Sequence, residues 1–194
     1  MKKGLTIKDF INAAMFSVLT IAAFWTAGML GFIPVLMPFV PFACSFVAGP
    51  VFILYSTRIQ KYGMLLILGA LTAFVFSLSG HGLYVFIGAA ICSLLAEEIL
   101  KKGGYRSIKH ARWAYTVFVA LTGSVMLPLF IARDAYVQKL IDQNYGEEYA
   151  RILVSVLPYW SFPFIILGAC LGGYLGASLG IKLLKKHFQK TGMV

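Results

Sequence analysis

The stretch FINAAMFSVLTIAAFWTAGMLGFIPVLMPFVPFACSFVAGPVFILYST, residues 10–57, carries no charged side chain. One crossing of a bilayer's hydrocarbon layer takes about 20 apolar residues. These 48 residues are too many for one crossing and enough for two. Gly28, Gly31, Pro34, Pro38 and Pro41 interrupt the run, and such residues end helices and make tight turns. The spacing therefore predicts two antiparallel spanning helices, at about 10–31 and 36–56.

The same reading extends along the chain. Lys61 and Glu97 bracket 35 uncharged residues, broken near the middle by Ser79-Gly80-His81-Gly82, which gives helices at about 63–79 and 83–100. The 20 uncharged residues from Trp113 to Ala132 and the 30 from Ile152 to Ile181 each give one more, at about 112–132 and 159–183. The expectation is an all-α integral membrane protein of six transmembrane helices, a single membrane domain over 1–194, with one long outer loop at 133–158. A membrane barrel would need short alternating segments of about ten residues, and these runs are continuous.

Composition excludes the soluble alternatives. Sixty per cent of the 194 residues are hydrophobic and 12% are charged, about half the charged share of an ordinary soluble domain. The net charge of +10 is not a nucleic-acid footprint. An even number of spans puts both termini on one side, and that side collects 14 of the 17 Lys and Arg residues, among them Lys2, Lys3, Lys8, Arg58, Lys61 and Lys190. Arg133, Lys139 and Arg151 stand apart, mixed with Asp134, Asp142, Glu147 and Glu148. Cytoplasmic loops carry the basic excess, so both termini are expected inside. The opening Met1-Lys2-Lys3 resembles the start of a signal peptide, but the apolar stretch is too long and further spans follow.

Chemistry-bearing motifs are sparse. Cys44, Cys92 and Cys170 are odd in number and lack C-x-x-C spacing, so neither a disulfide framework nor a zinc site is expected. No phosphate-binding G-x-x-x-x-G-K-[ST] loop occurs, and no carboxylate falls in the middle of a predicted span, where ion-coupled transporters place one. Active transport would need energy from a partner. Glu97-Glu98 has the form of an intramembrane metalloprotease motif, but His81, His110 and His187 share no membrane depth with it, so an ion pair with Lys101 or Lys102 is expected instead. No enzyme activity, cofactor or metal site is expected.

Two constellations stand out. Gly168, Gly172, Gly176 and Gly180 recur every four residues, a row that lets another backbone pack closely, either within the bundle or on another subunit. Ala13, Ala14 and Ser17 form a smaller cluster near the inner end of the first helix. At the outer surface, the Gly31–Pro34 turn, the Ser79–Tyr84 turn and the 133–158 loop should meet. His81, Tyr84, Arg133, Tyr159 and Trp160 are the candidate substrate-binding residues there, because loops over a rigid scaffold carry binding groups. Tyr84, Tyr159 and Trp160 also suit an aromatic belt at the headgroup level.

Leu5-Thr6-Ile7-Lys8-Asp9-Phe10-Ile11-Asn12, the segment Gly28 to Phe39 and Ser79-Gly80-His81-Gly82 resemble the Trep_Strep family over essentially the whole chain. The resemblance implies a substrate-binding S component of an energy-coupling factor (ECF) transporter. It further implies a bacterial cell membrane, a small-molecule substrate bound near the outer face, and a T component with two ATPase subunits as partners. S components dock on the T component through an Ala-x-x-x-Ala pattern at the inner end of the first helix. The nearest match here is Ala13-x-x-x-Ser17, with Ala14-x-x-x-Val18 one residue on. The alternative reading is a stand-alone passive facilitator or a membrane sensor.

Overall fold

The computed structural model describes residues 5–58 and 60–190. Lys2 and Lys3 lie outside the described residues, as do the side chains of His187 and Lys190. Helix α1 spans Ile7–Gly28 and starts on a capping box, the Thr6 N–H donating to the Asp9 carboxylate at 2.7 Å. The chain then turns through two 3-10 segments, Met29–Phe32 and Pro34–Phe39, before α2, Val40–Arg58. Pro34 enters at the first turn of its segment, where the missing N–H costs nothing.

Helix α3, Met64–Phe76, follows a turn at Gly63 with φ +93°. Tyr55 braces this end by donating to the Met64 carbonyl at 2.6 Å. The last turn, Ser77–His81, is widened, and Gly80 at φ +93° and Gly82 at φ +75° reverse the chain into α4, Tyr84–Lys102. A side chain other than glycine's is strained in that left-handed region.

The segment expected as the fifth span is broken in two, α5 over Ile108–Phe118 and α6 over Leu121–Ile131. The hydroxyls of Thr122 and Ser124 donate to the carbonyls of Val119 and Leu121, at 2.7 and 2.5 Å. Such bonds compete with the helical ladder, and Ala120 and Thr122 tighten to i−3 backbone bonds at the break.

Segment 133–158, expected as a loop, folds instead as a helical hairpin: α7, Arg133–Asp142, and α8, Glu147–Val156. Gly146 at φ +87° and Asn144 at φ +62° make the turn between them. A 3-10 turn at Tyr159–Ser161 leads into α9, Phe162–Lys190. No strand occurs among the described residues.

The long helices close a ring. α1 packs on α2 and α3, α3 on α4, α4 on α5 and α6, α5 on α9, and α9 on α2. Inside it, Phe52 meets the rings of Tyr55, Tyr115 and Phe118 at centroid distances of 6.3, 4.7 and 5.7 Å. A second core of Met126, Leu129, Leu140, Leu153, Leu157 and Ile165 seats the α7–α8 hairpin on the end of the bundle.

Among the described residues, five segments are long and apolar enough to cross a membrane: Ile7–Phe32, Pro34–Arg58, Met64–His81, Ile108–Ile131 and Tyr159–Lys186. Helix α4 has a comparable length of 19 residues but carries Glu97, Glu98, Lys101 and Lys102 in its final turns. The outward faces are apolar. Leu167, Leu171, Leu175 and Leu179 run exposed down α9, as expected of a surface that meets lipid.

The glycine row of α9 meets the chain's own α2. A Cβ on Gly176 would stand 2.8 Å from Phe46 Cα, and one on Gly180 would stand 2.7 Å from Pro50 Cα. A Cβ on Gly172 would strike the Phe42 carbonyl. Gly172, Gly176 and Gly180 therefore line an intramolecular seam, so of the two readings of this row the subunit interface does not hold for these three. Gly168 alone has nothing within 4 Å. Ala13 and Ser17 are likewise 0% and 2% exposed, with the Ser17 hydroxyl donating to the Ala13 carbonyl at 2.8 Å. Their face is already covered by the chain, whereas Ala14 and Val18 point outward.

Glu97 forms no ion pair with Lys101 or Lys102 within the fold. Fully buried, it accepts the Leu65 N–H at 2.9 Å and the Tyr105 hydroxyl at 3.0 Å, so that α4 caps the start of α3. It is Glu98 that pairs with Lys101, at 3.1 Å and exposed.

Candidate ligand-binding site

At the end of the bundle where α1 and α3 finish and α2 starts, the ring encloses a cavity of about 640 Å³. That volume falls within the usual range for small-molecule sites. Its walls follow from the chain breaks. Gly28, Gly31 and the 3-10 turns swing Met29, Phe32 and Met37 across the end of the bundle, and the widened final turn of α3 brings in Phe76, Ser79 and His81. Helix α6 adds Thr122, Val125 and Met126 just beyond its break from α5.

The hairpin covers this space with Tyr136, Leu140, Tyr145 and Tyr149. Three contacts hold it. Tyr149 donates its hydroxyl to the Gly31 carbonyl at 2.5 Å, Lys139 donates to the Gly80 carbonyl, and Arg133 donates to the Leu157 carbonyl at 2.6 Å. Phe32 stacks on Tyr145 at 6.4 Å, and Tyr145 leans on Tyr149 at 5.0 Å. Burial raises the Tyr149 hydroxyl to a pKa of about 12 and pushes that of Tyr136 upward as well, so both phenols keep their protons at neutral pH. On the outer side of the hairpin, the Arg151 guanidinium 2.7 Å from Glu148 lowers that carboxyl's pKa.

Trp25, Met29 and Phe32 are wall residues and also 55%, 62% and 64% exposed. The mouth therefore lies along this edge. Toward the bundle centre the cavity ends on Phe24, Cys44 and Leu121, backed by the Phe52–Tyr115–Phe118 cluster. No Asp, Glu, Lys or Arg is among the lining residues.

Of the residues singled out in the sequence, His81 lines the cavity, its ring 5.5 Å from that of Phe76 and its Nδ1 3.2 Å from the Phe76 carbonyl. The structure does not bring Tyr84, Arg133, Tyr159 or Trp160 to the wall. Arg133 stacks on Tyr159, its guanidinium 3.8 Å from the ring centroid, and fixes the root of the hairpin. Tyr84, Tyr159 and Trp160 are exposed, Trp160 packing edge-on against Phe164 at 5.9 Å. Sequence reasoning brought the right segments together but missed Trp25, Met29, Met37 and the three hairpin tyrosines. The i, i+4 spacing of Tyr145 and Tyr149 was the available signal.

A family model described as a hypothetical bacterial integral membrane protein (Trep_Strep) matches residues 7–190. No curated protein and no solved structure matches the chain. Its coverage of nearly the whole chain places the protein in that family.

Proposed function

We propose that this member of the Trep_Strep family is a substrate-binding S component of an ECF-type importer in the bacterial plasma membrane. It captures a small molecule at the outer face and delivers it together with a T component and two ATPase subunits. The observation that carries the reading is the cavity: roofed by the hairpin, open along the α1 edge, and ending on a packed aromatic core. A binding subunit needs such a dead-ended site. A passive facilitator needs a continuous path, and the Phe52, Tyr115 and Phe118 rings occupy the middle of the bundle.

In this reading α4 is the sixth span and both termini are cytoplasmic. Arg58, Lys61, Lys101, Lys102, Lys182, Lys185 and Lys186 gather at the end of the bundle away from the cavity, as the cytoplasmic basic excess requires. With Ala13 and Ser17 covered, the T component meets the exposed α1 register through Ala14 and Val18. The lack of a nucleotide-binding motif agrees with energy supplied from outside.

The test is to purify the tagged chain from its native membrane in a mild detergent that preserves an ECF complex, and to identify what accompanies it by mass spectrometry. Recovery of a T component with paired ATPases is the expected result. Recovery of the chain alone refutes the importer reading and favours a self-contained facilitator or sensor.

A further inference from the structure

The chemistry of the cavity wall narrows what it can hold. Four aromatic rings from the bundle (Phe24, Trp25, Phe32 and Phe76) and three from the hairpin surround the space, with the thioethers of Met29, Met37 and Met126 between them. Such faces and sulfurs favour an aromatic ring packed against them. The lining has no ionic side chain to pair with a charged group, and burying an unpaired charge costs far more than burying a neutral polar group.

The polar atoms are distributed unequally. On the wall made by the end of α3 and the start of α6, the donors are already in use within the chain. Ser79 donates to the Val75 carbonyl at 2.9 Å and Thr122 to the Val119 carbonyl at 2.7 Å. His81 Nδ1 faces the Phe76 carbonyl at 3.2 Å, and because a carbonyl only accepts, Nδ1 carries the proton. In the neutral ring Nε2 is then an acceptor. This wall presents lone pairs. The opposite side, formed by α1 and the hairpin, has Thr26 committed to the Ala22 carbonyl at 2.8 Å and Tyr149 to Gly31, but it keeps protons on Trp25, Tyr136 and Tyr145, for which no acceptor occurs among the described residues.

We propose that the ligand is an uncharged aromatic ring compound that directs an N–H or O–H donor at the His81–Thr122 wall. This rests on the reading of the cavity as a ligand site, and it names the chemical class of that ligand. A carboxylate or a phosphate of the same size is disfavoured, because no Lys or Arg is among the described lining residues. Aromatic faces attract a cation, so an ammonium compound is the competitor that the tryptamine probe separates.

The experiment is isothermal titration of the purified full chain in detergent at pH 7.5 with four probes that share an indole ring. N-acetyltryptophanamide is neutral, N-acetyltryptophan is an anion, tryptamine is a cation, and N-acetyl-1-methyltryptophanamide lacks the ring N–H. The neutral amide should bind at least tenfold more tightly than either charged probe. Methylation of the ring nitrogen should weaken it several-fold, and His81→Leu should abolish that difference while leaving the melting temperature unchanged. Thr122→Val provides the second variant, nearly isosteric, should His81→Leu fail to fold. A charged probe that binds as tightly as the neutral one overturns the ligand class and leaves the cavity as a ligand site. Absence of binding by all four probes overturns the proposal; co-purification of a T component then leaves the cavity reading standing, and recovery of the chain alone removes both.

Discussion

Gly168 and Gly176 belong to one four-residue repeat on α9, yet alanine should have opposite effects at the two positions. A Cβ on Gly176 would stand 2.8 Å from Phe46 Cα and 2.9 Å from Phe46 C, whereas ordinary contact begins at 3.4 Å. The obstructing atoms are backbone, so no rotamer change relieves the clash, and α2 must move away along the seam. Overpacking of this kind costs roughly 1–3 kcal/mol, offset by the roughly 0.8–1.0 kcal/mol that alanine gains over glycine in a helix. Gly168 has nothing within 4 Å, so only the gain applies. Gly168→Ala should leave stability equal or up to about 1 kcal/mol higher, and Gly176→Ala should fall below it by roughly 1–3 kcal/mol. The assay is SDS-induced unfolding in mixed micelles, followed by circular dichroism. Equal midpoints for the two variants would refute the placement of Gly176 against α2 and return the row to an intersubunit role.

Three further outcomes follow from the hairpin and the opposite end of the bundle. Tyr149→Phe removes the hydrogen bond to Gly31, worth about 0.5–1.5 kcal/mol, and should speed amide exchange in α7 and α8 while leaving α9 protected. Because the Tyr149 pKa is raised from 10.0 to about 12, the folded state favours the protonated phenol. That contribution is complete below about pH 10 and is lost as pH rises through 12, so hairpin exchange corrected for intrinsic rates should be flat from pH 6 to 9. A transition inside that window would contradict the buried latch. At the other end, Glu97→Ala leaves the Leu65 N–H and the Tyr105 hydroxyl without their partner and should cost about 1–3 kcal/mol. Glu98→Ala, which breaks an exposed pair, should cost under about 1 kcal/mol. The same unfolding assay ranks them, and a reversed order would sink the capping role.

The membrane class was legible in the sequence because it depends on sums. Uncharged runs of about 20 residues have no other stable use in so apolar a chain, and glycine and proline clusters end helices through their own dihedral limits. Positions such as Gly31, Pro34 and Gly80 therefore marked the turns before any contact was known. The 133–158 segment was misread as a loop because its charges hide short amphipathic helices. These helices bury Leu140 and Leu153 in a cluster with Met126, Leu129 and Ile165, and ten-residue helices are marginal without such packing. Small-residue rows told that a backbone would approach but not whose. Tertiary structure alone turned Gly176 onto Phe46 and hid Ala13 and Ser17 while exposing Ala14, since one residue is a rotation of about 100° around a helix. It likewise sent Tyr149 to the cavity and left Tyr159 and Trp160 outside. An aromatic ring suits a lipid interface and a ligand wall equally by its own chemistry, and only the surrounding helices decide which of the two it meets.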